Sequence, residues 1–319
     1  MIRPRLLAVA SCAAVALTGC AAFSDTDRTT AEDAAPTVLA SFYPLEYLAT
    51  ELGGDRVHVE AVTPPGADPH NIELSPRTVA EFEEAALVVY VSGFQPAVDD
   101  AVDVTGARAF DAAEHTELLT TEETGHDHDD DHGHEDAHAH AADAGAPLDP
   151  HFWLDPGRLA EVTDALADEL AGLDPDGAAD YRENAERVVA TLAELDDEFA
   201  AGLATCDRDT IVVTHEAYGY LTARHGLRQE GLSGVDPDAE PSPARLAEIA
   251  AVVDEHDVDT IFVESLLSPA VSEALAEDLG LRTAVLDPLE NQQDESADYV
   301  DVMRANLAAL QDALACAAA

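Results

Sequence analysis

The sequence predicts an α/β protein of two lobes, each a parallel sheet flanked by helices, joined by one long rigid helix. Short β-branched runs alternate with helical stretches early in the chain, and the alternation returns in its last third. Between them, residues 176–204 carry a single apolar stripe at helical spacing. Hydrophobic residues make up 47 % of the 319, enough to bury sizeable cores.

Residues 38–42 (VLASF) read as a strand and 44–52 as a helix. Residues 56–63 (RVHVEAVT) alternate apolar and polar side chains, the period of a half-buried strand. Ser75-Pro76 supplies an N-cap and a first-turn proline, and Val79, Phe82 and Ala86 then share one helix face. Residues 86–91 (ALVVYV) form a buried strand. This β-α-β-α-β order gives a Rossmann-like lobe with helices on both faces. In 176–204, Tyr181, Ala185, Val188, Leu192, Leu195, Phe199 and Gly202/Leu203 recur every three to four residues. Such a helix would run about 35–40 Å. The second lobe has strands at 210–214 (TIVVT), 260–264 (TIFVE) and 283–286 (TAVL), with Ser242-Pro243 and Ser268-Pro269 opening helices. Leu246, Ile249, Ala250 and Val253 form a buried helix face, and a last helix covers 296–315. The expected organisation is a leader over 1–19, a flexible tether over 20–36, a first lobe over 37–175, the helix over 176–204 and a second lobe over 205–319.

The leader has two Arg, then a twelve-residue apolar run over 6–17. That run is too short to span a hydrocarbon core of about 30 Å, but suits a signal peptide. It ends in Leu17-Thr18-Gly19-Cys20, which resembles a bacterial lipobox. The expectation is therefore acylation of Cys20 and a lipid-anchored, extracytoplasmic protein, on the outer face of the cytoplasmic membrane or in the periplasm. Two cysteines of the exported chain remain, Cys206 and Cys316, and an oxidising compartment favours a disulfide between them over two free buried thiols. The formal charge is −51, all fifteen basic residues are Arg, and there is no Lys. A polyanion of this kind is repelled by nucleic acid and anionic lipid, so neither is an electrostatic partner. It suits a cation, and the other reading of most of the charge is a solvated acidic surface adapted to salt.

Histidine is the residue that points to chemistry. Six of thirteen lie in one acidic tract: His126, His128, His132, His134, His138 and His140. The tract has no apolar periodicity and reads as a loop that captures Zn²⁺ loosely. Three more have defined settings: His70 in the loop after the second strand, His151 in DPHFWLDP, and His215 directly after TIVVT. Asp287 directly follows TAVL. Ligands of open α/β sheets gather at the C-terminal ends of strands. His70, His151, His215 and Asp287 would together make a tetrahedral N₃O shell in the cleft between lobes, suited to Zn²⁺.

Five stretches in this order resemble the cluster A-I metal-binding solute-binding proteins of ABC transporters, the ZnuA/TroA-like group. They are Pro65-Gly66-Ala67-Asp68-Pro69-His70 with Ser75-Pro76; Asp149-Pro150-His151-Phe152-Trp153-Leu154-Asp155-Pro156; Thr214-His215-Glu216-Ala217-Tyr218-Gly219-Tyr220-Leu221; Glu240-Pro241-Ser242-Pro243; and Val285-Leu286-Asp287-Pro288-Leu289. The resemblance covers residues 37–316. It implies a fold like class III periplasmic binding proteins, a monomer, and zinc uptake through delivery to an ABC permease and its ATPase. It also implies a discriminator: manganese members place Glu where His215 stands, because a harder ion prefers oxygen. Glu216 beside it keeps a manganese- or iron-binding member as the alternative. The fourth ligand stays open among Asp287, Glu216 and a water. Glu264 reads either as a partner of a ligating His or as a cap of the next turn. Some relatives were first described as adhesins, a role compatible with metal capture. A zinc hydrolase, with Glu216 or Glu264 as base, is the reading from another class; HExxH and GxSxG segments are absent.

Overall fold

The structure, a computed structural model, describes residues 35–125, 147–264, 270–294 and 296–317. The leader, Cys20, nearly all of the tether, the six histidines of 126–140 and the Ser268-Pro269 cap lie outside the described residues.

The first sheet is built from β1 (Thr37–Ala40), β2 (His58–Ala61), β3 (Leu87–Tyr90) and β4 (Ala109–Asp111), all parallel, in the order β2-β1-β3-β4. Its helices are α1 (Tyr43–Gly53), α2 (Pro76–Glu84) and α3 (Pro96–Thr105). Ser75 caps α2 by accepting a hydrogen bond from the Thr78 N–H, satisfying one of the donors a helix start leaves open. Helix α4 (Pro156–Leu173) then packs along α5 (Ala178–Gly202). The second sheet repeats the permutation: β5 (Thr210–His215), β6 (Arg228–Ser233), β7 (Thr260–Val263) and β8 (Arg282–Val285) run parallel in the order β6-β5-β7-β8. Helices α6 (Gly219–His225), α7 (Pro243–Glu255), α8 (Ala270–Leu279) and α9 (Tyr299–Ala313) surround it. Among the described residues no helix is long and apolar enough to cross a membrane.

The buried face of α5 is the stripe read from the sequence, Tyr181, Ala185, Val188, Leu192, Leu195, Phe199 and Gly202. At 25 residues it spans about 37 Å. It packs on α1 and α4 of the first lobe and on α9 of the second. The main core runs without a break through both lobes, from Val38 and Trp153 by way of Leu192 to Ile211 and Tyr299. Smaller cores lie on the outer side of each sheet, around Phe82 and around Ile249. Cys206 and Cys316 are disulfide-bonded, tying the chain end to the approach to β5. Residues that end or follow β2, β5, β7 and β8 come together in one place: His70, His215, Glu264 and Glu290.

Candidate metal centre

His70 follows β2. Its backbone N–H donates to Asp68 Oδ1 at 2.8 Å, and Gln95 Nε2 donates to Pro69 O at 3.1 Å, pinning the loop on both sides. The Phe94 ring meets the imidazole edge-on, with centroids 4.7 Å apart. His151 opens a single helical turn, and one oxygen of buried Asp149 accepts from both its backbone N–H (2.9 Å) and its Nδ1 (2.8 Å). That bond keeps the proton on Nδ1 and leaves the Nε2 lone pair for a ligand. His215 ends β5, and its Nδ1 lies 2.7 Å from Glu264 Oε1. Strand register explains the pairing. Val212 stands beside Ile261 in the parallel ladder, and three residues further along each strand come His215 and Glu264. Thr214 Oγ1 donates to the same Glu264 oxygen.

The three Nε2 atoms converge on a residue that the sequence reading did not name. Glu290 Oε1 lies 3.1 Å from His70 Nε2 and 3.3 Å from the Nε2 atoms of His151 and His215. All four candidate donor atoms fall within 4.8 Å of one another, and no other such group exists among the described residues. A tetrahedral Zn²⁺ with bonds of about 2.0–2.1 Å would separate its donors by about 3.3–3.4 Å, which matches the three nitrogen–oxygen edges. His151 and His215 are fully buried, and their Nε2 atoms make no well-formed hydrogen bond, although the Glu290 carboxylate lies 3.3 Å from each, so both lone pairs are available to a ligand. His70 is the ring with solvent access, its side chain 11 % exposed.

The electrostatics suit a cation. Burial pulls the His215 pKa down, but the Glu264 and Glu290 carboxylates outweigh it and hold the pKa well above the free value. His151 is raised in the same way by Asp149 and Glu290, against the effect of burial. Burial pushes Glu290 up, and its three imidazole neighbours win, holding it well below the usual carboxylate range. A dication would replace the protons that these rings otherwise attract.

Asp287 is not in the cluster, which corrects the expected fourth donor. Its Oδ1 accepts from the Leu289 N–H at 2.8 Å, and its backbone is gripped from both sides by Asn306. The carboxyl faces a side cavity lined by Tyr43, Leu289 and Asn306, where burial, with Glu264 and Glu290 adding, pushes its pKa up to about 6. The turn it holds puts Leu289 in the left-handed region (φ 58°) and sends Glu290 into the cleft. Trp153 Nε1 fixes the same loop by donating to Pro288 O at 2.8 Å. Glu216 is turned away as well. It is buried on the other side of the β5 end, where Oε1 accepts from the Gly231 N–H at 3.0 Å and lies 3.4 Å from an Arg245 nitrogen. Successive side chains at a strand end point to opposite sides, so His215 and Glu216 cannot share one ion.

The ZnuA family model, described as zinc-uptake complex component A periplasmic, matches residues 38–313. The chain belongs to the ZnuA family. Over 285 residues it is 30 % identical to the high-affinity zinc uptake system protein ZnuA of Bacillus subtilis, covering 87 % of each chain. It is 31 % identical to the zinc-binding lipoprotein AdcA of Streptococcus pneumoniae over 86 % of its own length, but spans only 55 % of that relative. Two solved structures are similar over 88 % of the chain. The Zn(II)-bound ZnuA-like domain of S. pneumoniae AdcA superposes with a TM-score of 0.72 at 29 % identity over 99 % of its length. The laminin-binding protein Lmb of Streptococcus agalactiae, described as bifunctional with adhesin and metal transporting activity, gives 0.76 at 30 % identity and 99 % coverage. Within this ZnuA family fold, sequence reasoning passed over Glu290 and Asp149. Asp149 stood inside a quoted stretch, two residues before His151, without being given a role, and Glu290 stood one residue past another, three after Asp287.

Proposed function

We propose that this protein captures Zn²⁺ in the interlobe cleft through His70, His151, His215 and Glu290 and delivers it to an ABC permease and its ATPase. The observation that carries this reading is the convergence of three imidazole nitrogens, two of them fully buried, on one carboxylate oxygen at distances of 3.1–3.3 Å. Three nitrogens and a single carboxylate favour zinc over the harder manganese. The names of the relatives, zinc uptake and zinc-binding proteins, point the same way. A fourth protein donor also argues against hydrolysis, since catalytic zinc sites keep a position open for water. Acylation at Cys20 would hold the protein at the membrane beside its permease, as a monomer. The two lobes, 37–175 and 205–319, would act as one clamp on the 176–204 helix, with the histidines of 126–140 as a secondary loading site.

Metal content by mass spectrometry, on protein purified without chelator or affinity tag, tests the reading. Stoichiometric zinc is expected, with high-affinity binding lost in His215→Ala. Tight manganese binding without tight zinc binding would overturn the choice of metal.

A further inference from the structure

We propose that Asn291 is a positioning residue that clasps the two ligand-bearing loops together and so controls how fast the metal leaves; this rests on the zinc-capture reading above. Asn291 follows Glu290 directly, is 6 % exposed, and comes from the second lobe. Its Oδ1 accepts from the Gly66 N–H at 2.9 Å, and its Nδ2 donates to Pro64 O at 2.9 Å and to Ala67 O at 3.0 Å. All three partners lie in the first lobe, in one tight turn closed by the Ala67 N–H donating to Pro64 O, with Gly66 at φ 76°. That turn leads into His70. One side chain therefore links the loop presenting Glu290 to the loop presenting His70.

The chemistry demands a carboxamide. The turn offers one donor and two acceptors, which fixes which way the amide faces and uses both of its N–H groups and its oxygen. An aspartate of the same shape would set an oxygen against two carbonyl oxygens. Because His70 is the ring with solvent access, the loop clasped by Asn291 is the one that must move for an ion to escape. The clasp keeps donors from opposite lobes within reach of each other before the ion arrives, the preorganisation that strengthens binding without adding a ligand.

The test uses the full mature chain and its Asn291→Ala and Asn291→Asp variants, with zinc as the probe. Release is followed by stopped-flow mixing with excess chelator. Exchange of the Gly66 amide is followed separately in metal-free protein. Losing three hydrogen bonds should speed release about tenfold or more, with entry within about twofold. Asn291→Asp should be at least as fast as Asn291→Ala, whereas a residue that merely fills space would tolerate the isosteric acid. Gly66 exchange should rise in both variants. Wild-type release rates in the two variants, when wild type holds zinc, would overturn the clasp and leave the capture reading intact. If wild type holds no zinc, the capture reading fails, and unchanged Gly66 exchange would then overturn the clasp independently.

Discussion

Asp149→Asn isolates what a carboxylate contributes without touching a ligand. Asp149 is fully buried, and one of its oxygens takes two bonds from His151, at 2.9 Å from the backbone N–H and 2.8 Å from Nδ1. The amide oxygen of Asn can still accept both, so the loop keeps its shape. The backbone bond is the same with and without metal and cancels from the affinity. The ring bond does not, because a cation on Nε2 draws charge from the ring and makes Nδ1–H a stronger donor. A hydrogen bond to a charged group contributes about 1.5–3 kcal/mol against about 0.5–1.5 for a neutral pair. The difference, about 1–1.5 kcal/mol, corresponds to a zinc affinity about five- to twelvefold weaker, at the lower end of the usual effect of losing such a partner. The loss should also depend on pH, with a definite sign. Asp149 holds the His151 pKa up, so in wild type a proton competes with zinc as the pH falls. In the variant that competitor is weaker. The affinity gap should therefore be widest near pH 8 and narrow toward pH 6. Competition against a chromophoric chelator across that range measures it, with thermal melts confirming that the variant is folded. A zinc Kd within twofold of wild type at pH 8, or a gap that widens on acidification, would refute the reasoning.

Glu290→Gln and Asp287→Asn separate the donor in the cluster from the acid beside it. Glu290→Gln should cost at least about a hundredfold in zinc affinity by calorimetry, more than losing a partner of a ligating histidine, whereas Asp287→Asn, which can still accept from Leu289, should stay within threefold; the reverse order would restore Asp287 as the ligand. Cys206→Ser removes a bridge between residues 110 apart and should destabilise the mature protein by about 2–5 kcal/mol in denaturant titration, with zinc stoichiometry unchanged; an unchanged midpoint would mean that the unfolded chain gains nothing from losing the bridge.

Much of the scaffold was legible because it is written in local periodicity. The α5 stripe, the Ser-Pro helix starts at Ser75 and Ser242 and the apolar runs of β3 and β5 each report burial of one face over a few residues. The elements that escaped notice have local reasons too. Strand β6 (RQEGLS) lies at a sheet edge and carries charge and a glycine, and β4 is three residues long. Three of the four candidate donors were readable because His70, His151 and His215 stand in marked loops or at a strand end.

The fourth candidate donor was not readable, and of the residues that orient the others Glu264 was legible only as one of two alternatives. Asp287 and Glu290 are both acids just past β8, and only the turn closed by Asp287 on the Leu289 N–H decides which enters the cleft. Glu264 reaches His215 through strand register across 49 positions, and Asn291 reaches the Gly66 turn across 225. Residue type and spacing report what a stretch of chain can form and which chemistry it can offer. Where a side chain ends up relative to one hundreds of residues away depends on how two sheets and a shared core bring their strand ends together, and no local pattern carries that information.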